Sequence, residues 1–297
     1  MAIVFKTSGL QAGDMMLKGC KISWAALAFS MLLLACDKLV GPPRVIQPQE
    51  VPRNLLDTSH PDFVWPLTKI EEGPSESSTW TSSSVSFRWS GNKEVGSYSY
   101  KHDADPWSTF GPDTGTTLTF LDEGPHTFTV KARHINGVTE EGDPPKRTFT
   151  VDAVQGPAVM FLPRLKTVSW NQSFTYDIKA EQVSGLLGCK LAFTYNKNAV
   201  RIDSAQAGLF LRSNGGSPSP VLSTIDNANG KATFELVVLG GKPKGVSGTG
   251  VLATVYCHAL SSGSVDISFV AGETAFRDTV NAPVTIKELV NGRVTVR

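Results

Sequence analysis

Residues 185–202, GLLGCKLAFTYNKNAVRI, leave the chain few choices. Cys189, Leu191, Phe193 and Tyr195 alternate with Gly188, Lys190, Ala192 and Thr194. A period of two places the large side chains on one face of an extended strand and the small or polar ones on the other. Asn196, Lys197 and Asn198 then supply turn chemistry, because Asn tolerates unusual backbone angles and bonds its own main chain. Val200 and Ile202 resume the alternation, so a half-buried strand, a tight turn and a second strand are expected.

The same grammar recurs upstream. Between residues 61 and 152 the runs 85–89, 98–100, 118–120, 126–132 and 148–151 alternate, and Gly91-Asn92, Gly111-Pro112, Gly124-Pro125 and Asn136-Gly137 separate them. Strands at this spacing without a helical period predict a β-sandwich. Residues 153–157 read as a short hinge, and strand signals continue through 231–238 and 265–269. A chain of 297 residues, 40% of them apolar, can fill two such cores. The fold class expected is therefore all-β, with two β-sandwiches at 61–152 and 156–297.

The front end is different. Lys18 and Lys21 precede residues 25–34, an apolar run broken only by Ser30 and followed by Ala35-Cys36. Such a run is too short for a membrane span and suits a signal-peptide core. Leu33-Leu34-Ala35-Cys36 resembles the lipobox of bacterial lipoproteins, which implies lipidation of Cys36, a mature N-terminus there, and a place on the cell envelope. A plain signal peptide with an incidental Cys is the competing reading. Acyl chains contribute about 0.8 kcal/mol per buried methylene, enough for two or three to hold a domain on a bilayer. Residues 37–60 carry Pro42, Pro43, Pro48 and Pro52 and are expected to form an extended tether.

Two further resemblances carry expectations. Phe87, Trp89, Tyr98, Tyr100, Trp107, His126 and Phe128 give the first sandwich a pattern that resembles immunoglobulin and fibronectin type III-like modules. The 185–202 string is similar to the third strand and following turn of type I cohesin modules, the receptor half of the cohesin–dockerin pair. Residues 168–178, 248–256 and 291–296 resemble that family's opening strand, a G-x-G-x-L-A-T strand and the closing hairpin. The resemblance implies a nine-stranded jelly roll, and Cys189 and Cys257 then fall inward on neighbouring strands of one sheet. They form a disulfide or remain two buried thiols.

On the same template Lys190, Ala192, Leu252, Thr254, Tyr256 and His258 take the outward phase and form the partner-binding face. The expected partner is a dockerin-like or other envelope protein. Lys190 stands where the family commonly has an acid, and Tyr195-Asn196-Lys197 replaces its usual Y-D-P, departures that bear on which partner is accepted. A polysaccharide is the alternative ligand, for which Trp107 in a polar loop is the candidate stacking ring. A spacer with no ligand is the third reading.

Other classes are excluded or disfavoured. A net charge of +1 gives no field for nucleic acid. No G-x-S-x-G, H-E-x-x-H, phosphate loop or Cys-x-x-Cys occurs, so no catalytic residue, metal ligand or cofactor is assigned and the chain is expected not to be an enzyme. His102 and Asp103 are read as surface polar residues, since sequence neighbours on a strand point oppositely. Residues 226–230 resemble half a calcium loop but lack its bidentate Glu, and read as a hairpin turn.

Overall fold

The computed structural model describes residue 54, residues 56–239 and residues 244–297. The expected leader, the expected lipidation site Cys36 and most of the segment 37–60 expected as a tether lie outside the described residues. The described end of the tether is turned where an extended segment was expected. Asn54 and Asp57 accept hydrogen bonds from the backbone N–H groups of Leu56 and Ser59, and the Asn136 amide donates to the Leu56 carbonyl at 3.2 Å. Short polar side chains that bond their own main chain favour turns over extension. Among the described residues no helix is long and apolar enough to cross a membrane.

Seven strands form the first sandwich: β1 (Thr68–Glu72), β2 (Ser78–Trp80), β3 (Val85–Gly91), β4 (Val95–His102), β5 (Gly115–Leu118), β6 (Gly124–His134) and β7 (Lys146–Val151). One sheet runs β1-β3-β5, the other β2-β7-β6-β4. The inward phase of β3, Val85, Phe87 and Trp89, meets Phe128, Val130, Phe149 and Val151 from the facing sheet. Phe87 stacks on Phe128 at 3.9 Å between ring centroids. Each fully buried ring of this kind contributes about 1.5–3 kcal/mol. The aromatic alternation in the sequence thus makes this core.

The segment expected as a hinge is packed. Val154 is buried with Ala158, Met160 and Val290, Glu123 accepts the Ala153 N–H, and the Gly156 N–H reaches the Gln182 side chain. Farther along the junction, the Asp122 carboxylate accepts the Arg164 N–H at 2.6 Å and the Arg293 guanidinium lies 4.7 Å from the Phe120 ring centre.

The second sandwich comprises β8 (Ala158–Leu162), β9 (Leu165–Val168), β10 (Ser173–Tyr195), β11 (Val200–Ala207), β12 (Ser217–Pro218), β13 (Leu222–Asp226), β14 (Lys231–Leu239), β15 (Val246–Ala259), β16 (Gly263–Phe269), β17 (Ala275–Asp278), β18 (Pro283–Val284), β19 (Glu288–Val290) and β20 (Gly292–Val296). The nine strands expected are divided into more segments because edge pieces such as β12 and β18 are only two residues long.

Strand β10 organises the sandwich by serving both layers. Its first part pairs with β15 and β8, giving the order β11-β15-β10-β8-β19. Its second part pairs with β14 on one side and with β17 and β16 on the other, and β16 continues to β20 and β9. The change of layer falls where the register shifts between Ala180 and Leu186 and where Gln182 and Gly185 take φ of 49° and 63°. Glycine reaches such angles without the Cβ penalty. Phe161 of one layer meets Phe193 of the other edge to face at 5.3 Å, within a core that includes Tyr176, Ile178, Leu191, Phe234 and Val255.

The 196–198 turn and the 226–230 turn meet. The Tyr195 hydroxyl donates to the Asn227 side chain at 2.7 Å, and the Tyr195 N–H donates to the Gly230 carbonyl at 2.8 Å. Gly230 has φ 66°, and a Cβ there would stand 2.2 Å from the Tyr195 carbonyl oxygen. As expected, 226–230 is a hairpin turn, joining β13 to β14.

Candidate partner-binding face

The outward side of the β13, β14, β10 and β17 layer is built by register. Leu222 faces Glu235, Glu235 faces Lys190, and Lys190 faces Ala275, so one row crosses four strands. The next row is Val237, Gly188 and Arg277. Residues directly opposite on neighbouring strands share a face, which fixes the composition of this surface. Leu222 is 67% exposed and Val237 39%, while Gly188 leaves the floor between them flat. Lys190 and Glu235 pair at 3.6 Å, both about half exposed. These residues, with Pro220 and Val280, line an open cleft of ≈ 840 Å³.

The six residues expected to form one face are divided between two layers. Lys190 and Ala192 belong to the layer just described; Thr254, Tyr256 and His258 lie on β15, which pairs with the first part of β10 and with β11. The neighbour of residues 188–194 is β14, not β15. Two of the six are not at the surface at all. Leu252 is 0% exposed because Ile178 faces Ala253 while Lys179 faces Val251, which leaves Leu252 as the extra residue of a β-bulge. A bulge shifts the in-out phase, so Leu252 turns into the core. Ala192 is also 0% exposed; its backbone bonds the Thr274 hydroxyl and the Val270 N–H, and the Lys231–Glu273 ion pair crosses over that part of β10.

Thr254, Tyr256 and His258 have their polar atoms engaged within their own layer. Thr254 donates to Asp177 at 2.6 Å, Tyr256 to Gln206 at 3.0 Å, and His258 Nε2 to Asn171 at 2.9 Å. They form a polar ladder, and the exposed Leu209 shares a cleft with Thr254, Asp177 and Val251 beside it.

Cys189 and Cys257 are free and buried. Cys189 faces Leu236 and Phe276, Cys257 faces Phe174 and Ile202, so the thiols sit in different layers, on β10 and β15 but with Cys189 in the second part of β10, which does not pair with β15. Burial pushes the Cys189 thiol up to about 12 and raises that of Cys257 as well.

Residues 162–296 match the cohesin domain family. The segment is also similar in structure to the sixth cohesin of scaffoldin B from Acetivibrio cellulolyticus, solved with a mutant Cel5 dockerin, at 20% identity and a TM-score of 0.40, covering 48% of this chain and 100% of that one. A type I cohesin–dockerin complex from Clostridium thermocellum gives 14% identity, a TM-score of 0.40 and coverage of 47% and 99%. A non-cellulosomal cohesin from the archaeon Archaeoglobus fulgidus gives 12%, 0.37, and 47% and 91%. A search of curated proteins finds no match.

Periodicity identifies β14 of the second sandwich as a strand but does not say which strand it lies beside, so Glu235, Val237, Leu222 and Arg277 escape it. A second group was missed in the first sandwich. Asp103 has φ 48° and leaves the extended path, so its carboxylate and His102 both converge on His126, 23 and 24 residues away. They do not point apart as surface residues. Trp107 is part-buried rather than open, with the ammonium groups of Lys101 and Lys131 5.1 and 4.6 Å from its ring centre.

Proposed function

We propose that the chain is a non-catalytic binding protein whose cohesin domain captures a protein partner on the β13, β14, β10 and β17 face. The row Leu222, Glu235, Lys190 and Ala275, flanked by the exposed Val237, is the observation that carries this reading. An apolar strip with a few charges at its centre suits a protein surface, since interface cores favour apolar contact while the charges set register. The partner class is dockerin-like, in keeping with the dockerin-bound cohesins to which residues 162–296 are similar. Lys190 and Arg277 are balanced by Glu235 and Asp278 in the cleft lining, so these charges set register rather than select a strongly charged partner.

The test is capture of a dockerin panel by the full chain, with and without a calcium chelator. Leu222→Asp combined with Val237→Asp is expected to abolish capture and Tyr256→Asp to leave it intact. The reverse pattern moves the binding face to the other layer. A polysaccharide ligand is the weaker alternative, because the Trp107 ring is covered by lysines and the exposed Trp65 and Trp170 belong to different sandwiches.

Acylation of Cys36 would display this face on the cell envelope, on a tether supplied by residues 37–60. Cys36→Ala is expected to move the protein from the membrane to the soluble fraction; unchanged membrane association removes the anchor from the proposal.

A further inference from the structure

Three donor atoms from separate positions in the first sandwich meet where β4 ends and β6 begins. His126 Nδ1 lies 2.8 Å from Asp103 Oδ2 and 3.0 Å from His102 Nε2, and the latter two are 3.1 Å apart. We propose that His102, Asp103 and His126 form a binding site for a divalent transition-metal ion of the zinc class. An ion about 2.0–2.1 Å from each atom, the usual Zn–N and Zn–O length, would sit about 1 Å out of the plane of this triangle.

The second ring of contacts leaves each donor available. His126 is 8% exposed, and its Nε2–H donates to the Asp122 carbonyl at 2.8 Å, which frees Nδ1 as the ligating nitrogen. A ligating imidazole held through its other nitrogen by a carbonyl is the usual second-sphere arrangement of metal sites. Asp103 Oδ1 accepts the Thr127 N–H at 2.6 Å, which fixes the carboxylate and leaves Oδ2 toward the histidines. His102 Nδ1 has the Asp105 carboxylate 3.8 Å away. The left-handed φ of Asp103 carries a local backbone cost, and non-glycine residues hold such angles where surrounding contacts fix them.

Ligand chemistry selects the ion. Two imidazole nitrogens and one carboxylate suit zinc, nickel or copper; calcium and magnesium prefer all-oxygen shells. Asp103 lies at the surface, so water completes the fourth position. The site would tie the C-terminal end of β4 to the start of β6 and clamp that edge of the sandwich.

The experiment is zinc titration of the full chain by calorimetry, with a parallel cobalt titration read by visible absorption. Wild type is expected to bind one more equivalent than His102→Gln or Asp103→Asn, and to gain thermal stability with zinc that the variants lack. Cobalt is expected to give a low-symmetry visible band in wild type that either variant weakens at least about tenfold in affinity. Comparison with the variants subtracts any binding by Cys20, Cys36, His60, His134 or His258. Both variants alter part-exposed residues, and their circular dichroism is expected to match wild type. If folded variants bind zinc with the same stoichiometry and affinity as wild type, or if wild type binds none, the proposal is overturned.

Discussion

Leu252 and Ala253 are consecutive residues of one strand, and both are fully buried. Regular alternation would turn them to opposite faces; the bulge opposite Ile178 and Lys179 brings Leu252 round to the core. Leu252→Ala is expected to cost about 2–5 kcal/mol in urea denaturation, the range for emptying a packed leucine site. Leu222→Asp is expected to change stability by no more than about 0.5 kcal/mol, because its side chain is solvated. The pair separates fold from binding: loss of partner capture in Leu222→Asp with unchanged stability supports the face described above.

Cys189 and Cys257 are expected to be silent toward a disulfide reagent at pH 8 in the folded chain and to react on addition of guanidinium chloride. With the Cys189 thiol pushed up to about 12 and Cys257 shifted in the same direction, neither carries appreciable thiolate at that pH. Peptide mapping after alkylation without reductant checks the pairing, and a linked 189–257 peptide would contradict the two-layer placement.

Glu140 accepts hydrogen bonds from Lys131 at 2.5 Å and Arg133 at 2.8 Å, which hold its carboxyl below the usual range. A folded-state value depressed below the unfolded one gives stability that is present above the unfolded pKa of about 4.3 and is lost as pH falls through the folded value. Glu140→Gln is therefore expected to flatten the acid limb of the stability profile. The carboxylate is partly solvated, so the effect is about 0–1 kcal/mol. An unchanged acid limb would show that these bonds add nothing to stability.

Gly230→Ala and Gly137→Ala form a matched pair. Both glycines have positive φ, 66° and 78°, but a Cβ on Gly137 meets open space while one on Gly230 strikes the Tyr195 carbonyl oxygen. Gly137→Ala is expected to cost about 1–2 kcal/mol, the left-handed penalty alone. Gly230→Ala is expected to cost clearly more, measured by thermal unfolding of both variants.

Strand type was legible wherever side chains alternate. The inward phase of Cys189, Leu191 and Phe193 and the core roles of Phe87, Trp89 and Phe128 are as the pattern predicts. What alternation cannot encode is partnership: Val237 and Tyr256 present equally good outward phases, and only the pairing of β14 with the second part of β10 places Val237 beside Gly188. Bulges are equally hidden, since a single unpaired residue at Leu252 leaves no compositional trace. The convergence of His102, Asp103 and His126 depends on a left-handed Asp103 and a strand 24 residues on, neither of which local spacing reveals.

Asp122 reaches in two directions at once. Its carbonyl accepts the imidazole N–H of His126, and its carboxylate accepts the main-chain N–H of Arg164 at the entry to the second sandwich. Tightening the histidine would restrain Asp122, and a restrained Asp122 would stiffen the joint it spans. The two sandwiches would then hold one aim through a joint that Val154, Ala158, Met160 and Val290 already pack, governed from a point well away from the β13, β14, β10 and β17 face.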